Sequence, residues 1–305
     1  MGLYQKYRPS SLDEMQGNKE IISTLSAMLS DLKTCPHAFL LTGPTGCGKT
    51  TLGRIIKDRL GCIGSDYIEV DSADYRGIDS IREIRKTAQY KPIETNSFCR
   101  VWLLDEVHKM TNDAQNALLK ILEDAPTHVY FILCTTDPQK LIPTIKGRCS
   151  LFQVKQLSDS DMYTLLKRIV RKEGQRLDKE ILSQIVQDSL GHPRNAIQIL
   201  EQVLLVDPDT RLQVAKRSAE QQSQTIELCR ALLGGKGWKT VADILTGLKT
   251  EEPENIRRAV LGYCQAVLLK GDNMRAGAIM EAFIEPFYNS SYPGLVFACY
   301  SVVKS

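Results

Sequence analysis

No cysteine pair in the sequence has the spacing of a metal ribbon. The nearest two of the nine, Cys35 and Cys47, stand well outside the roughly two-to-four-residue separation of thiolate ligand pairs. A structural zinc site is therefore not expected, and an odd number of scattered thiols suits a reducing cytosol better than a disulfide framework. Long hydrophobic runs are also missing. Stretches such as Val129 to Cys134 fit a buried strand and fall far short of the roughly 20 apolar residues that cross a bilayer. The N-terminus, MGLYQKYRPSS, has no apolar signal stretch, and Lys6 stands where a myristoylation signal wants Ser or Thr, so no membrane association is expected. Charge of one sign is scarce too: 39 basic against 36 acidic residues leave +3, too little for a basic nucleic-acid coat. Repeats and low-complexity segments are absent. What remains is ordinary globular material, 43% apolar and 25% charged over 305 residues, enough for two or three domains with real cores.

The pattern changes once along the chain. Lys19 to Leu32 places Ile21, Ile22, Leu25, Met28, Leu29 and Leu32 on one helical face. Short apolar strands (Ala38 to Thr42, Tyr67 to Val70, Val101 to Leu104, Val129 to Cys134, Leu151 to Val154) then alternate with helices at Lys49 to Leu60, Ile78 to Gln89 and Thr111 to Asp124, with Thr111 as N-cap. Fully apolar strands in such alternation predict a parallel sheet covered by helices on both faces. From Ser158 strand patterns vanish. Helices are predicted at Asp159 to Lys172, Asp178 to Leu190 and Arg194 to Val206, then a breaker at Asp207 to Asp209, then helices around Gln221 to Leu233, Thr240 to Lys249, Glu254 to Lys270 and Met274 to Phe287. The expected division is 1–156, 157–206 and 207–305.

Gly43-Pro44-Thr45-Gly46-Cys47-Gly48-Lys49-Thr50 matches the phosphate-loop pattern and lies between an apolar strand and a helix, the context the pattern requires. Its glycines let backbone N–H groups face a phosphate chain at a helix N-terminus. Lys49 would reach the terminal phosphates and Thr50 would hold Mg²⁺. An unliganded glycine turn would have no need of Lys and Thr at those two places. Cys47 reads as a small apolar filler rather than a redox group. Asp105 and Glu106 end an apolar strand, where ligands gather in an open parallel sheet. Asp105 suits the metal shell and Glu106 suits orientation of an attacking water. A carboxylate pair alone is weak, but with the phosphate loop it points to nucleotide hydrolysis.

The chain resembles AAA+ ATPases of the clamp-loader group, most closely the bacterial gamma/tau type. The resemblance rests on Tyr7-Arg8-Pro9, Gly43 to Thr50, Asp105-Glu106-Val107-His108, Asn116 to Lys120, Thr135-Thr136-Asp137-Pro138-Gln139-Lys140, Gly147-Arg148-Cys149 and Gly191 to Ala196. It runs in register over roughly residues 4 to 206. It implies an α/β P-loop AAA+ domain with a parallel sheet, a small helical lid and an all-α collar that holds subunits in a ring. It also implies that Tyr7, Arg8 and Pro9 border the adenine, with Gly43 through Thr51 cradling ATP and Mg²⁺. Thr136 resembles the first sensor and Arg194, from the lid, the second. Arg148 resembles the arginine finger that projects into a neighbouring subunit's site. The implied partners are a sliding clamp, primer-template DNA and like or related subunits in a pentameric ring, in the cytosol of a bacterium or a phage-infected cell.

Two departures from the family pattern stand out. Only Gly61 to Asp66 bridges the gap where the family carries a four-cysteine zinc module, which agrees with the cysteine spacing and again predicts no zinc. The family's Ser-Arg-Cys reads Gly147-Arg148-Cys149. The polymerase-binding extensions of the longer family form are expected to be absent, and a compact, phage-encoded variant fits. Arg76 and Arg82 lie where the family has basic residues near DNA, although solvated surface residues would look the same. The helix Asp74 to Gln89 and the segment Lys109 to Gln115 are clamp-facing by position alone. The rivals are another AAA+ remodeller, such as a branch-migration motor or helicase loader, a loader subunit that binds ATP without cleaving it, and a small-molecule phosphotransferase. Thr135 to Lys140 opposes the first, the intact phosphate loop and carboxylate pair the second, and the long helical C-terminal part the third.

Overall fold

The computed structural model describes residues 2–32, 34–72, 77–215, 224–269 and 271–304. The chain forms two compact units. One runs from Gln5 to Asp161, and the other gathers the chain from Met162 onward together with the first few residues, among them Leu3 and Tyr4.

The first unit is built on a five-stranded sheet of β1 (Ala38–Thr42), β2 (Tyr67–Asp71), β3 (Arg100–Asp105), β4 (Val129–Thr135) and β5 (Ser150–Gln153). The strands pair in the order β2-β3-β4-β1-β5, and every pairing is parallel. The central strands β1, β3 and β4 are buried over nearly their whole length because alternate residues feed two separate cores, whereas β2 and β5 at the edges expose Glu69, Leu151 and Gln153. On one face Phe39, Leu41, Val101, Leu103 and Ile132 pack with Leu25 of α1 (Lys19–Met28) and with Leu52, Ile55 and Ile56 of α2 (Lys49–Arg59). On the other, Leu40, Trp102, Leu104, Phe131 and Leu133 meet α3 (Ile78–Ala88), α4 (Asn112–Glu123) and α5 (Pro143–Arg148) through Ile81, Leu118 and Ile145. Trp102 stacks on Phe131 at 5.6 Å between ring centres, and each ring buried this fully stabilises the unit by about 2–3 kcal/mol. The Thr111 N-cap is as expected, its hydroxyl accepting from the Ala114 N–H at 3.2 Å. The helix predicted to reach Leu32 stops earlier, at Met28. Ser30 turns its hydroxyl onto the Ala27 carbonyl at 2.7 Å, a local bond that competes with helix continuation, and Leu32 is left exposed.

The second unit is helical: α6 (Asp159–Lys172, most of it), α7 (Lys179–Asp188), α8 (Pro193–Leu204), α9 (Gln224–Leu233), α10 (Trp238–Gly247), α11 (Pro253–Leu268), α12 (Met274–Ala282) and α13 (Ser291–Lys304). Each has an apolar stripe; that of α6 is Met162, Leu165, Leu166, Ile169 and Val170. Two buried carboxylates hold ion pairs here, Asp188 across two helices and Glu254 within one. Asp188 on α7 takes Arg230 of α9 at 2.5 Å. Glu254 on α11 takes Arg257 and Arg258 and accepts the Phe287 N–H at 3.1 Å. The helix predicted over Met274 to Phe287 ends at Ala282, and α13 was not foreseen.

Candidate nucleotide site

In a parallel sheet all strand ends of one kind share an edge. Here that edge brings together the loops after Thr42, Asp105 and Thr135, because β1, β4 and β3 are neighbours. The loop after β1 is shaped by its glycines. Gly43, Gly46 and Gly48 hold φ of 143°, 74° and 102°, and a Cβ on Gly43 would fall 2.1 Å from the Val154 carbonyl oxygen. The Gly43 N–H donates to the Thr135 carbonyl at 3.2 Å, tying the loop to β4. Gly48 then caps α2 with no side-chain hydrogen bond, so the first turn of α2 keeps its N–H groups for an anion. Pro44 and Thr45 form the exposed tip.

Lys49 is 94% buried, and its ammonium donates to the Gly43 and Pro44 carbonyls at 2.8 and 2.9 Å. Cys47 is a packing residue: it sits in the core, its thiol donates to the Pro44 carbonyl at 2.9 Å, and burial pushes its pKa up, away from a reactive thiolate. Thr50 donates its hydroxyl to Asp105 Oδ2 at 2.7 Å. A hydroxyl and a carboxylate oxygen in contact, beside a phosphate loop, form the hard-oxygen donor set that Mg²⁺ takes alongside substrate phosphates.

Glu106 sits next to this pair in the left-handed region at φ 52°, its N–H donating to Asp105 Oδ1 at 3.0 Å. Its Oε2 accepts the Thr136 hydroxyl at 3.2 Å. The two predicted residues thus meet, one from the end of β3 and one from the end of β4. His108 joins them, with Nδ1 at 3.3 Å from Glu106 Oε2 and 3.0 Å from Thr135 Oγ1, and burial first of all holds its pKa below the ordinary imidazole value. The linear motif contains His108 but gives it no role, since nothing in a one-dimensional pattern tells which way an imidazole turns.

Tyr7, Arg8 and Pro9 reach the same neighbourhood, where Arg8 Nε donates to the Thr51 hydroxyl on α2 at 3.0 Å. Arg148, at the end of α5, is half exposed and ion-paired with Glu123 of α4 at 2.8 Å. Arg194 belongs to the second unit, where its guanidinium lies 5.0 Å over the Tyr4 ring and Nη2 donates to the Tyr4 hydroxyl at 3.2 Å. Arg82 is exposed on α3 and paired with Asp79 at 2.9 Å. Arg76 lies outside the described residues, as does the start of the helix expected from Asp74.

The family model for the DNA polymerase III delta subunit matches residues 65–158, the stretch from β2 to just past β5. The DNA polymerase III gamma/tau subunit of Mycobacterium tuberculosis is 36% identical over 235 residues, 70% of this chain and 40% of that protein. The gamma subunit of Buchnera aphidicola from Schizaphis graminum is 37% identical over 223 residues, 66% of this chain and 61% of that one. The replication factor C small subunit of Methanococcus vannielii is 38% identical over 200 residues, 65% and 62% respectively. The chain therefore spans between two fifths and about three fifths of the length of these relatives. Among solved structures, the Holliday junction branch migration motor RuvB of Thermotoga maritima superposes with a TM-score of 0.61 at 20% identity, covering 79% of this chain and 85% of that one. That likeness speaks for the fold alone. With its phosphate loop, its Asp105-Glu106 pair and a likeness that extends over about two thirds of its length, the chain is similar to DNA polymerase III gamma/tau subunits and to a replication factor C small subunit.

Proposed function

We propose that the chain is an ATP-hydrolysing clamp-loader subunit that, in a pentameric ring with like or related subunits, opens a sliding clamp and places it on primer-template DNA in the cytosol. The observation that carries the reading is the contact of Thr50 with Asp105 beside a Glu106 held by Thr136. Lys49, drawn from its loop carbonyls onto the β- and γ-phosphates, would bind the nucleotide. Mg²⁺, which neutralises charge developing on the phosphoryl group, would be held by Thr50 and Asp105. Glu106 would orient and polarise the attacking water, and Thr136 would report the γ-phosphate to it. Tyr7, Arg8 and Pro9 would border the adenine, an assignment supported by the bond from Arg8 to Thr51. Arg194 would couple the lid to the nucleotide. Arg148 would leave Glu123 to serve a neighbouring subunit's site, where such a finger is worth about 10³ to 10⁵ in rate.

In this reading residues 1–156 are the ATPase domain, 157–206 the lid and 207–305 the collar, Arg76 and Arg82 face DNA, and no zinc is held. Two variants test the chemistry. Lys49→Ala should lose both ATP binding and turnover, whereas Glu106→Gln should keep binding and lose turnover, as read by equilibrium binding of labelled ATP and by phosphate release. Near-parental turnover in either variant would contradict the assignment.

A further inference from the structure

Arg194 is a cation without a matching anion. It stands in the first turn of α8, directly after Pro193, where the positive end of the helix dipole disfavours it. Among the described residues no carboxylate pairs with it. Its Nε is buried without a hydrogen-bond partner, and its Nη2 donates to the Tyr4 hydroxyl at 3.2 Å. What holds the guanidinium is therefore an aromatic residue: its carbon lies 5.0 Å from the centre of the Tyr4 ring, within the range at which a ring's negative face attracts a cation. Tyr4 is itself fixed. It belongs to a single helical turn, Leu3–Lys6, and the Leu3 N–H donates to Glu201 Oε1 at 3.1 Å. Gly2 packs so closely that a Cβ on it would fall 3.3 Å from both Glu201 carboxylate oxygens. Arg194 and Glu201 stand seven positions apart on α8 and so share one face of it, which residues 2–4 clasp at two points about two turns apart.

An arginine that must meet a phosphate gains from being held beforehand, because ordering a long side chain on binding costs affinity. The kind of holder matters as well. A carboxylate would neutralise the guanidinium and compete for its N–H groups, whereas a ring leaves the charge uncompensated and most of the planar fork free for the oxygens of a phosphate. We infer that Tyr4 is a positioning residue that holds the Arg194 guanidinium ready for a nucleotide phosphate and so contributes to a preference for ATP over ADP.

This rests on the reading of Arg194 as the lid residue that responds to the nucleotide, and the test separates the two. Equilibrium binding of ADP and of a non-hydrolysable ATP analogue is measured on the full chain, on Tyr4→Leu, Tyr4→Phe and Arg194→Ala, and on Tyr4→Leu combined with Arg194→Ala; Tyr4→Met serves if the leucine variant does not fold. The ratio of the two affinities is the readout, since a merely structural loss lowers both alike. Tyr4→Leu should cut the preference for the ATP analogue about 5- to 20-fold, with ADP affinity within about twofold of the parent. Tyr4→Phe keeps the stacked ring and should fall between the two. On the Arg194→Ala background, Tyr4→Leu should cost nothing further. A leucine variant with the parental ratio, an equal loss on both nucleotides, a phenylalanine variant no better than leucine, or a further loss in the double variant would overturn the role of Tyr4. If Arg194→Ala itself keeps the parental ratio, the reading of Arg194 falls and the role of Tyr4 falls with it; if Arg194→Ala loses the preference and Tyr4→Leu keeps it, the role of Tyr4 alone is wrong.

Discussion

At the scale of single residues the phosphate loop depends on one glycine more than on its lysine. Gly43 is held at φ 143°, and its Cα faces the Val154 carbonyl so closely that a methyl group would lie 2.1 Å from the oxygen. Backbone cannot yield as a flexible side chain does. Gly43→Ala should therefore destabilise the chain by about 2 kcal/mol or more and abolish nucleotide binding, as thermal unfolding and ATP titration would measure. An alanine variant that binds ATP with parental affinity would mean that the loop can move off Val154. The chemistry-bearing residues were legible in the sequence where type and spacing coincide, as in Gly43 to Thr50 and Asp105-Glu106. What a one-dimensional pattern lacks is the partner across a long sequence separation: the bond from Arg8 to Thr51, the pair of Arg148 with Glu123 and the imidazole against Glu106 all arise from the fold.

At the scale of elements, the central strands were legible because both sheet faces are covered there, which makes β1, β3 and β4 largely apolar runs. The last helix was not. Ser291-Tyr-Pro-Gly reads as a turn, yet proline is welcome in a first helical turn, and the residues after it, Leu295, Ala298, Cys299 and Val302, are buried at helical spacing. The segment between α12 and α13 is tied to α11 through Glu254, which accepts from Arg257, Arg258 and the Phe287 N–H. These donors, Arg257 first, hold the Glu254 carboxyl down to about 2. A depressed folded-state pKa means that the unfolded chain binds the proton more readily. The stabilisation is therefore complete above the ordinary carboxylate range and is lost as pH falls through that range toward about 2. Glu254→Gln should lower stability at neutral pH and flatten its decline below about pH 5, as chemical denaturation at several pH values would record. An unchanged slope between pH 5 and 2 would show that the arginines are satisfied without it.

At the scale of the whole molecule, the fold and the relatives point in different directions unless weighed by what each can carry. RuvB shares the architecture at 20% identity, whereas the gamma/tau and replication factor C relatives share 36–38% of their residues over about two thirds of this chain. The second kind of likeness is one of residues and not of architecture alone, which is why we favour the loader reading over the motor. Its central claim is that the ATP site is completed by a second subunit. Arg148 ends α5 with only a half-exposed ion pair to Glu123, so its guanidinium is available at the surface of its own unit. The most direct test mixes Arg148→Ala chains, whose phosphate loop is intact, with Lys49→Ala chains, whose arginine is intact, and measures ATP turnover with sliding clamp and primer-template DNA present. The account predicts turnover well above that of either variant alone, because mixed rings pair a sound loop with a sound finger. Mixtures shown by mass to contain both chains, yet no faster than the better variant by itself, would contradict it.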